Sequence, residues 1–291
     1  MTSRRSASRI KIENLGRAGD AGALGFYDDA VYYTKAYARR TDDVAFYVRM
    51  ARALGGPVLE YGIGNGRVAL AIARSGIDVV GVDLSKPMLE SLDQRLRGEP
   101  PEVRRRVRAI HGDMREVRLR RRFPLVIAPF NAILHLYSRV ELEQFLSQVK
   151  RHLSLGGRFV FDYSTPQPAD LCRSPNRRYR APRLRHPTTG KIVRYAERFE
   201  YDPLRQLLLV RIEFAPERGA PWTVLLTHRQ FFPRELSALL HYNGFGDCVW
   251  TADFRDLPPD AGADSLVVSC GVVARSAKHR RPERVDPRAR R

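Results

Sequence analysis

With 291 residues and 43% hydrophobic content, the chain can bury a substantial core and is accounted for by one catalytic-size domain with an elaboration. Its three cysteines, Cys172, Cys248 and Cys270, are odd in number and widely spaced, which argues against a disulfide framework or a zinc site and leaves no metal centre to expect. The formal net charge of +19 is of the kind that binds nucleic acid, but lysine stands only at positions 11, 35, 86, 150, 191 and 278, and so arginine-heavy a balance fits coding bias as well as phosphate contact.

In chain order, residues 1–20 read as a disordered N-terminus. Its Ser/Arg-rich start is followed by Glu13 and Asp20, which weaken a transit-peptide reading. Neither a secretory h-region nor a run of 18 apolar residues is found, so no membrane span is expected and the location expected is cytoplasmic. Phe26 to Leu54 reads as helical and aromatic-rich, carrying Tyr27, Tyr32, Tyr33, Tyr37 and Tyr47. These rings either pack a core at helical spacing or face a cation through their π-systems.

Val58-Leu59-Glu60-Tyr61-Gly62-Ile63-Gly64-Asn65-Gly66-Arg67 follows, a short apolar strand running into a glycine loop, with Val68 to Ala73 continuing as a helix. Glycines at a strand-to-helix turn let a ligand touch the main chain, and the helix N-terminus behind them favours an anionic group. The dinucleotide fingerprint would need a third glycine where Arg67 stands. A second apolar strand ends in Asp83, and a third, Arg108 to Met114, carries Asp113. Any one of these acids alone would pass for a solvated loop carboxylate. Three acids after successive strands lie where an open α/β sheet binds its ligand, with Asp83 near the spacing of a ribose-binding carboxylate.

The Glu60-x-Gly62-x-Gly64-x-Gly66 loop and the two later acids resemble the class I S-adenosylmethionine (SAM) dependent methyltransferases, over roughly residues 25 to 275. The resemblance implies a Rossmann-like, doubly wound, mostly parallel α/β sheet and SAM as cofactor. It places Glu60 and the Gly62, Ile63, Gly64, Gly66 and Arg67 loop at the methionine end of SAM, and Asp83 on both ribose hydroxyls. Asp113 would accept from the adenine amino group, the Met114 N–H would meet an adenine ring nitrogen, and Leu84 and Met88 would flank the ring. Within Asp83-Leu84-Ser85-Lys86-Pro87-Met88-Leu89, Ser85 is a candidate helix cap and Pro87 is tolerated in the first turn.

The fourth strand is Pro124 to Phe130, Val140 to Leu153 is a helix, and Gly156-Gly157 leads into a fifth strand, Arg158 to Tyr163. Arg104-Arg105-Arg106 with Arg108, and Arg120-Arg121-Arg122, flank the third strand and are placed on the sheet's outer edge. Lys191 to Phe214 alternates with a break at Tyr201-Asp202-Pro203, a hairpin signal, and Thr223 to Phe231 gives another strand. A helix at Pro233 to Asn243 stopped by Gly244, and two closing strands at Cys248 to Phe254 and Ser265 to Val273, complete the order. Cys270 then falls in a buried terminal strand. The division expected is a methyltransferase domain over 21–274, an antiparallel β insert after the fifth strand at about 166–232, and a disordered basic tail over 275–291.

The run Arg229 to Phe245 is similar to a segment of the glycine and amino-sugar N-methyltransferases, in which such an insert caps the acceptor pocket. That subgroup implies methyl transfer to N or O of a small-molecule acceptor. Methyl transfer needs alignment and exclusion of water more than catalytic groups, though an amine or hydroxyl acceptor must lose a proton. His135 is the candidate base, or else a hydrogen-bonded structural histidine; Asn131 is a candidate for orienting acceptor or cofactor. Pro129 would offer its carbonyl to the SAM amino group. Tyr27, Tyr33, Tyr37, Asp162 and Tyr163 are acceptor-site candidates, with Arg180, Tyr195 and Arg229 of the insert behind them. Two other functions stand beside this one: an RNA or protein methyltransferase using the arginine surface, which lacks the "D/N-P-P-Y" pattern of base-amine enzymes at Ala128-Pro129-Phe130-Asn131, and a non-catalytic SAM-binding module. The sequence leaves the oligomeric state open.

Overall fold

In a computed structural model, which describes residues 24–260 and 262–273, the chain forms a seven-stranded sheet and a four-stranded sheet. Helices α1 (Ala30–Ala36) and α2 (Asp42–Leu54) precede β1 (Val58–Tyr61), α3 (Arg67–Arg74), β2 (Val79–Asp83), α4 (Lys86–Arg97), the single turn α5 (Pro101–Arg104), β3 (Val107–His111) and β4 (Phe123–Ala128). A 3₁₀ turn at Ala132–His135 leads to α6 (Arg139–His152), β5 (Leu153–Ser164) and the short α7 (Pro168–Leu171). The insert strands are β6 (Tyr179–Arg185), β7 (Ile192–Asp202), β8 (Leu207–Pro216) and β9 (Trp222–Arg229); α8 (Pro233–Tyr242), β10 (Phe245–Ala252) and β11 (Ser265–Val272) close the chain. The expectations for residues 1–20 and 275–291 lie outside the described residues.

The main sheet runs β10-β11-β5-β4-β1-β2-β3, with β3, β2, β1, β4 and β5 parallel and β11 antiparallel to both of its neighbours, β5 and β10. All four residues of β1 are buried, because helices cover both faces of a central parallel strand. β3 is the edge, and exposed Arg104, Arg105 and Arg108 blunt it against pairing with another chain. One core layer gathers Phe145, Phe159, Phe161 and Phe245; the other gathers Tyr47, Leu70, Ile72 and Val79. Strand order reverses between β1 and β4, so a crevice opens beyond Tyr61 and Ala128, where open α/β sheets bind ligands.

Local sequence sets the helix starts around that crevice. Ser85 Oγ accepts from the Met88 N–H at 3.4 Å, with Pro87 in the first turn of α4. Ser138 and Glu141 close a reciprocal capping box on α6. Gly66 enters α3 at φ +77°, and a Cβ there would collide with Leu92 of α4, so glycine fixes both the turn and the approach of the two helices.

Three expectations need correction. The N-terminal helical segment is broken between Ala36 and Asp42, giving two helices instead of one. β5 starts at Leu153 and takes in Gly156-Gly157, while β10 starts at Phe245. The insert holds four strands, because Tyr179–Arg185 pairs antiparallel with β7. That strand carries Pro182 and three arginines on an exposed edge, so it has no apolar alternation to betray it. Among the described residues, no helix is long and apolar enough to cross a membrane.

Candidate active site

A cavity of about 490 Å³ occupies the crevice at the strand C-termini. Its floor is the loop after β1, where Gly62 and Gly64 have φ +73° and +53°. A Cβ on Gly64 would meet Met88 Cε at 3.1 Å, so a side chain there would intrude on the cavity wall. Ile63, Leu84 and Met88 supply apolar surface along one side.

Glu60, at the end of β1, is 2% exposed, and its Oε2 has no hydrogen-bond partner. Burial pushes its pKa well above the usual carboxylate value, with Arg67 opposing and Asp83 and Asp43 adding to the shift. An orphaned buried carboxylate oxygen beside a cavity is the side chain most in need of an external donor. Arg67 lines the same wall, gripped by Asp43 through Nη1 to Oδ1 at 2.7 Å and Nη2 to Oδ2 at 2.6 Å. Its guanidinium also lies 5.0 Å from the Phe130 ring centre.

Asp83 is preorganised as an acceptor. Its Oδ2 receives the Gly64 N–H at 2.7 Å and its Oδ1 the Ser85 N–H at 2.8 Å, which leaves further acceptor capacity on both oxygens of a residue that lines the cavity. Burial raises its pKa and these backbone donors restrain the rise. Asp113 is held by Arg115, whose Nη2 lies 2.6 Å from Oδ2 and whose Nε is 2.9 Å from both oxygens. Burial would raise the Asp113 pKa, but the Arg115 bonds outweigh it and the carboxylate stays ionised. Arg115 bridges on to Glu141 of the α6 capping box.

At the other end, a chain of polar groups crosses from the N-terminal segment to the insert. The Tyr137 hydroxyl donates to the Thr227 carbonyl at 3.2 Å, so its oxygen accepts from His135 Nδ1, 3.4 Å away. That assignment puts the His135 proton on Nδ1 and leaves Nε2 to accept from the Tyr27 hydroxyl at 2.8 Å. Burial, with His228 nearby, lowers the His135 pKa to about 3, so the imidazole is neutral at physiological pH. Tyr27 is left with oxygen lone pairs beside the cavity.

The loop after β4 sits between these two ends in a costly conformation. Phe130 and Asn131 both have positive φ, 54° and 65°. Asp162 holds them there: its Oδ1 accepts from the Phe130 N–H at 2.8 Å and from the Tyr47 hydroxyl at 2.7 Å, and its carbonyl receives the Asn131 N–H at 3.3 Å. Asn131 Oδ1 in turn accepts from the Ser164 N–H at 2.7 Å.

The structure thus brings Tyr27, Tyr33, Glu60, Gly62, Ile63, Gly64, Arg67, Asp83, Leu84, Met88, Asp113, Met114, Pro129 and His135 around one cavity. It places other candidates elsewhere. Gly66 caps α3, Tyr37 packs behind the wall on Phe130, and Asn131 is committed to Ser164. Asp162 is buried under the Phe130 loop, and Tyr163 lies in the core among Phe161 and its neighbours. Tyr195 bonds to Glu197, Arg229 pairs with Glu235, and Arg180 is solvent-exposed on β6. The sequence reading missed Arg115, Glu141, Tyr137 and the Asp43 partner of Arg67. Only Glu141 carried a local signal, as the third residue after Ser138.

A methyltransferase domain family matches residues 58–157, the stretch from β1 into β5. An N-terminal methyltransferase acting on cypemycin, from a Streptomyces species, is 31% identical over 112 residues, 38% of this chain and 43% of its own length. A dTDP-3-amino-3,4,6-trideoxy-α-D-glucopyranose N,N-dimethyltransferase from Streptomyces venezuelae is 30% identical over 129 residues, 44% of this chain and 51% of its own. The chain thus spans about half the length of these curated relatives. Among solved structures, the CcbJ methyltransferase of Streptomyces caelestis superposes with a TM-score of 0.69 at 27% identity, over 80% of this chain and 90% of that one.

Proposed function

We propose that this chain, a class I SAM-dependent methyltransferase by its fold and its matched domain, methylates the nitrogen of an amine carried by a small molecule. The observation that carries the reading is one cavity lined by an orphaned buried carboxylate, a preorganised ribose-type acceptor and, at its other end, a tyrosine held by a neutral histidine. When bound, SAM supplies an electrophilic methyl carbon on a sulfonium.

The residues present fit that cofactor. Glu60 Oε2 would accept from its amino group, with the Pro129 carbonyl as a second acceptor, and Arg67 stands on the same wall. Asp83 would take the ribose hydroxyls on its remaining lone pairs, while Asp113 would share its carboxylate between Arg115 and the adenine amino group. Met114 would offer its N–H to the ring between Leu84 and Met88.

Tyr27 and Tyr33 form the acceptor end. By donating to His135, Tyr27 turns its lone pairs to the cavity, where they accept an N–H and orient the amine. A histidine with a pKa near 3 stores no proton at neutral pH, so His135 acts as an orienting partner of Tyr27, and the amine enters uncharged. The curated relatives named for an amino sugar and for a peptide N-terminus support nitrogen as the target. Incubation with methyl-labelled SAM and matched amino and hydroxy sugars tests this. Label on nitrogen is expected; label on the hydroxy compounds alone, or on neither, would contradict it.

A further inference from the structure

Residues 24–33 form a wall between two openings. Leu24, Tyr27 and Tyr33 face the cavity already described, whereas Phe26, Asp29 and Tyr32 face a groove of about 700 Å³ between α4 and the insert sheet. In a chain of net charge +19, the described residues lining this groove include three carboxylates, Asp28, Asp29 and Glu90, and no Lys or Arg. Its aromatic side is ordered: Tyr32 stacks on His186 with centroids 5.1 Å apart, Trp222 stacks on Phe214 at 5.2 Å, and His186 meets Trp222 edge-on at 5.3 Å. Asp29 is fixed by the Tyr32 N–H at 2.8 Å and by the Thr188 hydroxyl.

A second, separate observation asks for a donor. His186 is 2% exposed, lines the groove, and its Nδ1 has no hydrogen-bond partner. Its Nε2 lies 3.9 Å from Asp29 Oδ2, which favours the proton on Nε2 and leaves a buried lone pair on Nδ1. Carboxylates, aromatic faces and an unfilled acceptor are together the complement of a positively charged N–H donor.

We propose that this groove is a binding site for a small organic ammonium ion, distinct from the cofactor cavity. The proposal rests on the groove alone and stands whether or not the cavity binds SAM. Trp222 is one of two tryptophans in the chain, so in a Trp250→Phe background its fluorescence reports the site. Titration of the full chain with benzylammonium should quench Trp222 saturably in the millimolar range, and benzyl alcohol should not. Glu90→Gln and Asp28→Asn, both on exposed side chains, should each raise the dissociation constant about fivefold, and Tyr27→Phe should leave it unchanged. Equal quenching by the alcohol, no effect of either carboxylate variant, or loss of the signal in Tyr27→Phe would overturn the proposal.

Discussion

Replacing Glu60 by Gln should stabilise the ligand-free protein and weaken cofactor binding, two effects of opposite sign from one cause. The carboxylate is 2% exposed and its Oε2 is unpartnered, so in the free protein it carries an unreturned desolvation cost. Because burial raises the folded pKa above the ordinary 4.5, the folded state binds the proton more tightly than the unfolded one. Its contribution to stability is therefore complete below the unfolded pKa and is lost as pH rises through the folded pKa. Gln does not titrate, so the variant should match the wild type in urea unfolding at low pH and exceed it by roughly 1–3 kcal/mol at alkaline pH. With the cofactor, Gln replaces a charged acceptor by a neutral one, a loss of roughly 1.5–3 kcal/mol, or about 10- to 150-fold in dissociation constant. Calorimetry should show that loss for SAM and S-adenosylhomocysteine but not for adenosine, which lacks the amino-acid end. A variant that is less stable at alkaline pH would show that Glu60 carries no uncompensated burial cost, and one that loses adenosine as well would show that Glu60 does not meet the amino-acid end of the cofactor.

Asp83→Ala should give the complementary pattern, weakening SAM and adenosine alike by two charged hydrogen bonds of roughly 1.5–3 kcal/mol each; unchanged adenosine affinity would contradict the ribose assignment. Asp162, whose pKa burial raises from 3.8 to about 6, should contribute stability that is full below pH 3.8 and lost as pH rises through 6. Asp162→Asn should flatten that dependence, while Asp162→Ala, which strands the Tyr47 hydroxyl and the Phe130 N–H, should cost roughly 1–3 kcal/mol per donor in urea unfolding. Equal stability of the two variants would show that these bonds do not hold the loop. Tyr27→Phe should lower kcat roughly 10- to 100-fold with SAM affinity intact, and the wild-type rate should rise with pH through the acceptor amine's own pKa. A rate limited by a group titrating near pH 3 would return His135 to the role of base.

The end of the cavity proposed for the cofactor was legible as a cluster of residues because its determinants are local. A buried strand, its terminal acid and the glycines that follow lie within nine residues from Val58 to Gly66, and Asp83 and Asp113 repeat the pattern at the ends of later strands. The acceptor end was only partly legible, because its groups meet across long separations: Tyr27 with His135, and Tyr137 with Thr227. Asp162 and Asn131 sat at the right strand ends, but whether a side chain there faces the cavity or braces the loop depends on a backbone with two successive positive φ values, which Phe130 and Asn131 do not announce. The ion pair of Arg67 with Asp43 was hidden for the same reason, since no periodicity links α2 to the first residue of α3. The insert's first strand escaped because an exposed, arginine-rich edge obeys charge, not alternation.

Whether this cavity binds SAM is decided by titration calorimetry with SAM, S-adenosylhomocysteine and NAD at two salt concentrations. The cavity's neutral histidine, orphaned carboxylate and backbone cradle predict micromolar binding of the SAM pair alone, with little dependence on salt because the contacts are enclosed. Absence of binding, or binding of NAD as tight as that of SAM, would contradict it.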